Sequence, residues 1–165
     1  MSGVIGLSFL VLALGCGSAI SVNNGSNATT APKPDDPNIR RVLVKQTKTF
    51  NDLEITISEI AVEPNKVTVR MNVRNTANDI RSFYPNQHSV VIGSQQLDAS
   101  PLNNGTQVSG ELNAGIERSD SIEFENKGVA IDPGRVDLVG LRLGDILSEK
   151  PFRTVAVNWD IPLPH

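Results

Sequence analysis

The chain has 165 residues, with 15 Lys or Arg against 18 Asp or Glu, for a formal charge of −3. The two signs are interleaved and aromatics make up only 4 %. No basic run gathers phosphates and no basic–aromatic stripe stacks bases, so nucleic acid is excluded as the expected partner. A single cysteine, Cys16, cannot form an internal disulfide and needs another account.

That account begins at the N-terminus. Val4 to Leu14 is an apolar run of signal-peptide length, and no charged residue appears before Lys33. The run closes on Ala13-Leu14-Gly15-Cys16, which resembles the lipobox of bacterial lipoproteins, with Ala13 where that pattern usually has leucine. The resemblance implies that the Cys16 sulfur receives a diacylglycerol, that residues 1–15 are removed as a signal peptide, and that the chain is held outside the cytoplasm on a membrane. Two acyl chains suffice for stable anchoring, at about 0.8 kcal/mol per buried CH₂.

Residues 16–40 are rich in Asn, Ser, Thr and Pro. They offer too little apolar surface to offset ordering entropy and are expected to form a flexible stalk. Three Asn-x-Ser/Thr tripeptides, at Asn24, Asn27 and Asn104, read as chance matches in so Asn-rich a chain.

From residue 41 to 165 one domain is expected, and its hydrophobic period is two. Leu53, Ile55 and Ile57 alternate with polar residues, after which Ile60 and Val62 carry the apolar side on the other parity, which predicts a bulge near Ser58-Glu59. Val67, Val69, Met71 and Val73 alternate cleanly. Val90 with Ile92, Ile122 with Phe124, Val136 to Leu143, and Val155 to Ile161 supply further strands, while Ile146 and Leu147 are expected on one short turn. Turn signals such as Asn51-Asp52, Pro64-Asn65 and Asp132-Pro133-Gly134 separate the runs. Half-buried alternation of this kind predicts an all-β, immunoglobulin-like antiparallel β-sandwich of about seven to nine strands.

The strand Val67-Thr-Val-Arg-Met-Asn-Val-Arg-Asn75-Thr76, followed by Leu112-Asn-Ala-Gly115 and Ile122-Glu-Phe124, gives a family resemblance. Residues 42–161 resemble an uncharacterised immunoglobulin-like domain family common in bacterial lipoproteins. That family is related in fold to a mycobacterial immunoprotective extracellular protein. Its usual turn proline is replaced here by Ala114. The resemblance implies a fold and an extracytoplasmic location, and it brings no catalytic residues.

Chemistry-bearing residues are sparse. His88 and His165 are the only histidines, too few for a transition-metal set, and no cofactor is expected. No Gly-x-Ser-x-Gly elbow or P-loop is present. Glu123 and Glu125 share the wet face of one strand as solubilising charges, and so do Arg70 and Arg74 on theirs. Asp35-Asp36 and Asn78-Asp79 fall short of the six or more oxygens that calcium needs. Trp159 follows the parity of Val155 and Val157 and is expected in the core. The segment Ile80 to Gln87 is the candidate contact loop, with Phe83, Tyr84 and Pro85 as exposed-looking residues and His88 next to them. The same segment also fits a corner packing its own aromatics.

Together these features lead to the expectation of a non-enzymatic binding or structural module of the cell envelope. Its partners would be the membrane, through a lipid anchor at Cys16, and an envelope protein or small ligand. The alternative is an enzyme or metal carrier that combines His88 with loop carboxylates.

Overall fold

The computed structural model describes residues 36–164. Cys16, most of the stalk and His165 lie outside them. Ten strands form: β1 Arg40–Phe50, β2 Leu53–Glu63, β3 Lys66–Asn75, β4 Arg81–Phe83, β5 Ser89–Ile92, β6 Gln95–Ala99, β7 Gly110–Leu112, β8 Glu117–Glu125, β9 Leu138–Glu149 and β10 Phe152–Pro162. All pairings between them are antiparallel. Among the described residues there is no α-helix, only three single-turn 3-10 segments.

The hydrogen-bonded order runs β1-β2-β3-β8, crosses to β6 through Asp98 and Ala99 opposite Glu125 and Phe124, and continues through β5 to β9. One side of β9 is shared, with β5 beside Gly140–Arg142 and β4 beside Ile146–Ser148. On the other side β10 pairs along almost the whole length of β9. Inward residues of both halves belong to one buried cluster, including Ile55, Val69 and Ile122 from one half and Leu141, Val157 and Trp159 from the other. The result is an all-β sandwich, with ten strands where seven to nine were expected.

Two bulges keep the apolar side inward. In β2 the register jumps from Ile57↔Met71 to Glu59↔Arg70, leaving Ser58 unopposed and returning Ile60 and Val62 to the core. In β9 the register jumps from Arg142↔Asn158 to Asp145↔Ala156, so Leu143 and Gly144 together face Val157. Gly144 has φ +80°, a conformation that glycine adopts without a Cβ penalty. This second bulge corrects the expected turn at Ile146-Leu147. Both residues lie within β9, and Ile146 is fully buried opposite Val155 and Phe83.

Trp159 is 2 % exposed, as its parity requires. Lys48 Nζ stands 4.8 Å from its ring centroid and the Phe50 ring lies at 6.3 Å. These contacts draw β1 and β10, both edge strands, together. At the start of β1, Arg40 donates to the carbonyls of Pro133 (3.2 Å), Val136 (2.7 Å) and Pro164.

Candidate functional site

The strand directions sort the loops into two ends. The turn Asn51-Asp52, the segment after Asn75, the turn between Leu112 and Glu117, and the β9–β10 turn all lie at one end of the sandwich. The start of β1 lies at the other, with the Pro64-Asn65 turn and the 126–137 loop. The chain therefore enters the domain at the pole opposite the first loop group, hereafter the far pole.

The far pole is organised around Arg81, the first residue of β4. This strand is hydrogen-bonded to both β7 and β9, which carries the Arg81 side chain inward until it is only 5 % exposed. A buried guanidinium must have its donors satisfied. Its Nε donates to the Asn51 carbonyl at 2.9 Å, its Nη2 to Asp52 Oδ2 at 2.8 Å, and its Nη1 to Asp79 Oδ1 and the Ile80 carbonyl. Asn51 and Asp52 take positive φ values of 44° and 61°, which turns the hairpin tip toward Arg81.

Asn75 extends the network. Fully buried, it donates from Nδ2 to the carbonyls of Asp79 (2.7 Å) and Leu112 (2.8 Å), and it accepts at Oδ1 from Ala77 N. Thr76 N and Oγ1 both donate to the Asp52 carbonyl, and Asn51 Nδ2 reaches the Ile146 carbonyl. Gly115 N and the Asn75 carbonyl, and Asn75 N and the Ile116 carbonyl, close the ring. Side chains thus tie the 51–52 turn and the 76–80 segment to β3, β4, β7 and β9, and main-chain bonds add the 113–116 turn. Ile80 (36 % exposed), Ile116 (41 %) and Phe152 (79 %) remain on its outside. Exposed apolar residues on a pre-ordered loop cluster suit recognition, because little ordering entropy is left to lose on binding.

The sequence-expected contact residues divide. Phe83 is fully buried and Pro85 is buried, both in the corner where β4 passes into a 3-10 turn over Pro85–Gln87. The expectation of exposure fails for these two, because Phe83 shares the inward parity of Arg81. Tyr84, 37 % exposed, and His88 reach the surface. The His88 imidazole lies against the bare Cα of Gly144, where an added Cβ would stand 2.0 Å from Nε2. Asn86, Ser89, Gln96 and Asp98 line the hollow next to it. Among the described residues no group of three or more His, Cys, Asp or Glu is placed to hold a metal.

Other expected surface charges are engaged structurally. Asp79 serves Arg81, Glu123 faces Lys66 at 3.4 Å, and Glu125 accepts from Ser100 Oγ. Asp120 takes three donors, Thr106 Oγ1, Gln107 N and Ser121 N, each within 2.9 Å. Burial alone would raise its pKa, but the hydrogen bonds outweigh it and hold the carboxyl below its ordinary 3.8. At the near pole a hollow of about 460 Å³ opens between Gly93, the 135–138 segment and Gly140, where Arg142 Nη2 meets Asp160 at 2.8 Å.

The fold and this site define an all-β sandwich with a braced loop cluster at one end. No family model matches the chain, and no curated protein matches it. Among solved structures it is similar to a functionally unknown protein from Listeria monocytogenes EGD-e, at 13 % identity and a TM-score of 0.51. The match covers 76 % of this chain and 87 % of that one. Likeness at that identity concerns the fold alone.

Proposed function

We propose that this chain is a non-enzymatic binding module of the cell envelope, tethered to the outer side of a membrane through an acylated Cys16. The far-pole loops would engage a second envelope protein. The observation that carries the reading is the Arg81-braced cluster presenting Ile80, Ile116 and Phe152 at the end opposite the point where the chain enters the domain. The apolar leader and the Ala13-Leu14-Gly15-Cys16 pattern support the anchor, and the likeness to immunoglobulin-like lipoprotein domains supports the location.

The test uses the full chain in its native membrane, with a photo-crosslinking side chain at position 116, 152 or 129. Val129 is 78 % exposed and apolar but lies at the near pole, so it controls for stickiness. The same adduct from positions 116 and 152, absent from 129, is expected. Equal adducts from all three positions, or none, would defeat the assignment. Mass analysis of the mature chain tests the anchor separately: a diacylglyceryl Cys16 at its N-terminus is expected, and an intact, unmodified residue 1–15 segment would remove it.

A further inference from the structure

The outer face of the β1-β2-β3-β8 half carries a second feature that neither the fold nor the far pole uses. Two rows cross it, Arg41-Ala61-Thr68-Glu123 and Leu43-Glu59-Arg70-Ser121, each aligned by strand register, with Ala61 itself buried beneath its neighbours. Ala61 brings only a methyl group between Arg41 and Thr68. Around that gap Arg41, Glu59, Thr68, Arg70 and Ser121 line a hollow of about 230 Å³. We propose that this hollow is a binding site for a phosphate-type oxyanion.

The donor inventory carries the argument. Arg41 Nη1 is held by Glu59 Oε1 at 3.0 Å, which fixes one guanidinium at the rim. Arg70 is exposed and its guanidinium has no partner among the described residues. The Thr68 hydroxyl on β3 and the Ser121 hydroxyl on β8 are likewise unengaged, and both residues are half-buried. Among the lining residues two guanidiniums stand against one carboxylate, and Glu123, next in the Thr68 row, faces Lys66 at 3.4 Å. Arg forks match phosphate oxygens in geometry, and charge-assisted hydrogen bonds of this kind are about twice as strong as neutral ones. The free Arg70 fork, the remaining Arg41 donors and the two hydroxyls point toward the acceptor oxygens of a phosphate-type anion.

The site stands apart from the far pole, since it lies near the start of β1 and the end of β2. Its oxyanion could be free phosphate or the phosphodiester of a lipid headgroup, and only the second source rests on the membrane tether proposed above. The experiment needs neither acylation nor a protein partner, so its failure leaves the far-pole reading intact.

The full chain, carrying Cys16→Ser and kept in a non-ionic detergent, is titrated with inorganic phosphate and separately with glycerophosphoglycerol. Binding is read from the Arg70 Nε–H and Ser121 amide resonances. Saturable shifts are expected with at least one of the two probes, and which one saturates names the source. Arg70→Gln should weaken the tighter probe about tenfold or more, equivalent to at least about 1.4 kcal/mol. Glu59→Gln should strengthen it severalfold by freeing Arg41 and removing the opposing charge. Both substitutions are on the surface, and unchanged circular dichroism checks their folding. Unsaturating shifts for both probes, or equal affinity in Arg70→Gln and the parent, would overturn the proposal. Weaker binding in Glu59→Gln would overturn it too.

Discussion

Replacing Arg81 by Met tests whether the far pole is braced as described. The substitution keeps an unbranched stem of similar length inside the corner but removes every guanidinium donor. Four ties disappear at once: to the Asn51 and Ile80 carbonyls, to Asp52 and to Asp79. The Asp52 pair is worth little, because that carboxylate is 60 % exposed and surface pairs contribute about 0.2–1 kcal/mol. Asp79 matters more. It is only 32 % exposed, and its Oδ2 is already buried without a partner, so losing Arg81 leaves a half-buried carboxylate unpaired. A stranded group of that kind costs about 1–3 kcal/mol, and the lost bond to Asn51 about 1 kcal/mol more. Some of this returns through the apolar stem of methionine, giving a net loss of about 2–4 kcal/mol. For a domain of this size each kcal/mol lowers Tm by roughly 3–5 °C, so a fall of about 10 °C is expected. Thermal unfolding followed by circular dichroism reads the first effect. Amide exchange reads the second, a joint loss of protection at 51–52, 76–80 and 113–116. A Tm within about 2 °C of the parent, or loss of protection confined to one loop, would refute the shared brace.

Trp159→Ala should cost about 3–5 kcal/mol by emptying a large core position, and an unchanged denaturant midpoint would contradict its burial. Asp120 titrates lower in the folded than in the unfolded chain, so its stabilisation is present above the unfolded value and disappears as pH falls through the folded one. Asp120→Asn should therefore be less stable than the parent at neutral pH and equal to it at strongly acid pH. A stability difference independent of pH would be inconsistent with that. Gly144→Ala meets both a positive φ and the His88 ring, and it should lower stability by more than the roughly 1 kcal/mol of backbone strain alone. Adding His88→Ala should restore the steric part only, and full recovery in the double variant would show that the backbone is unstrained.

Much of the sandwich was legible because burial on one face writes a period of two into β2, β3, β8 and β10. Even the β2 bulge could be read, since Ile57 and Ile60 cannot face the same side without one. The β9 bulge carried the same signal, in Leu143 followed by Ile146 with Gly144 between them, but a glycine beside a parity change also fits a turn. β1 was hidden because it is outermost: of Arg40–Phe50 only Val42 is fully inside, so no alternation marks it. The far pole was the least legible. Arg81 looks like a solvated charge until β4 is seen between β7 and β9, and its partner Asp52 is 29 positions away. A buried arginine is recognised by partners that only the fold brings together. The same burial explains why Phe83, two residues on, points inward and why only Tyr84 and His88 of the expected contact residues reach water.

Arg40 has a mechanical meaning that follows from its three carbonyl partners. A pull arriving from the N-terminal side meets this residue first, and through it the pull passes to Pro133, Val136 and the C-terminal Pro164 as well as to β1. With the opposite end of the sandwich held, that tension runs along the strand axis and strains many rungs in parallel instead of opening them one by one. A domain wired in this way transmits a tug across its whole length before it yields.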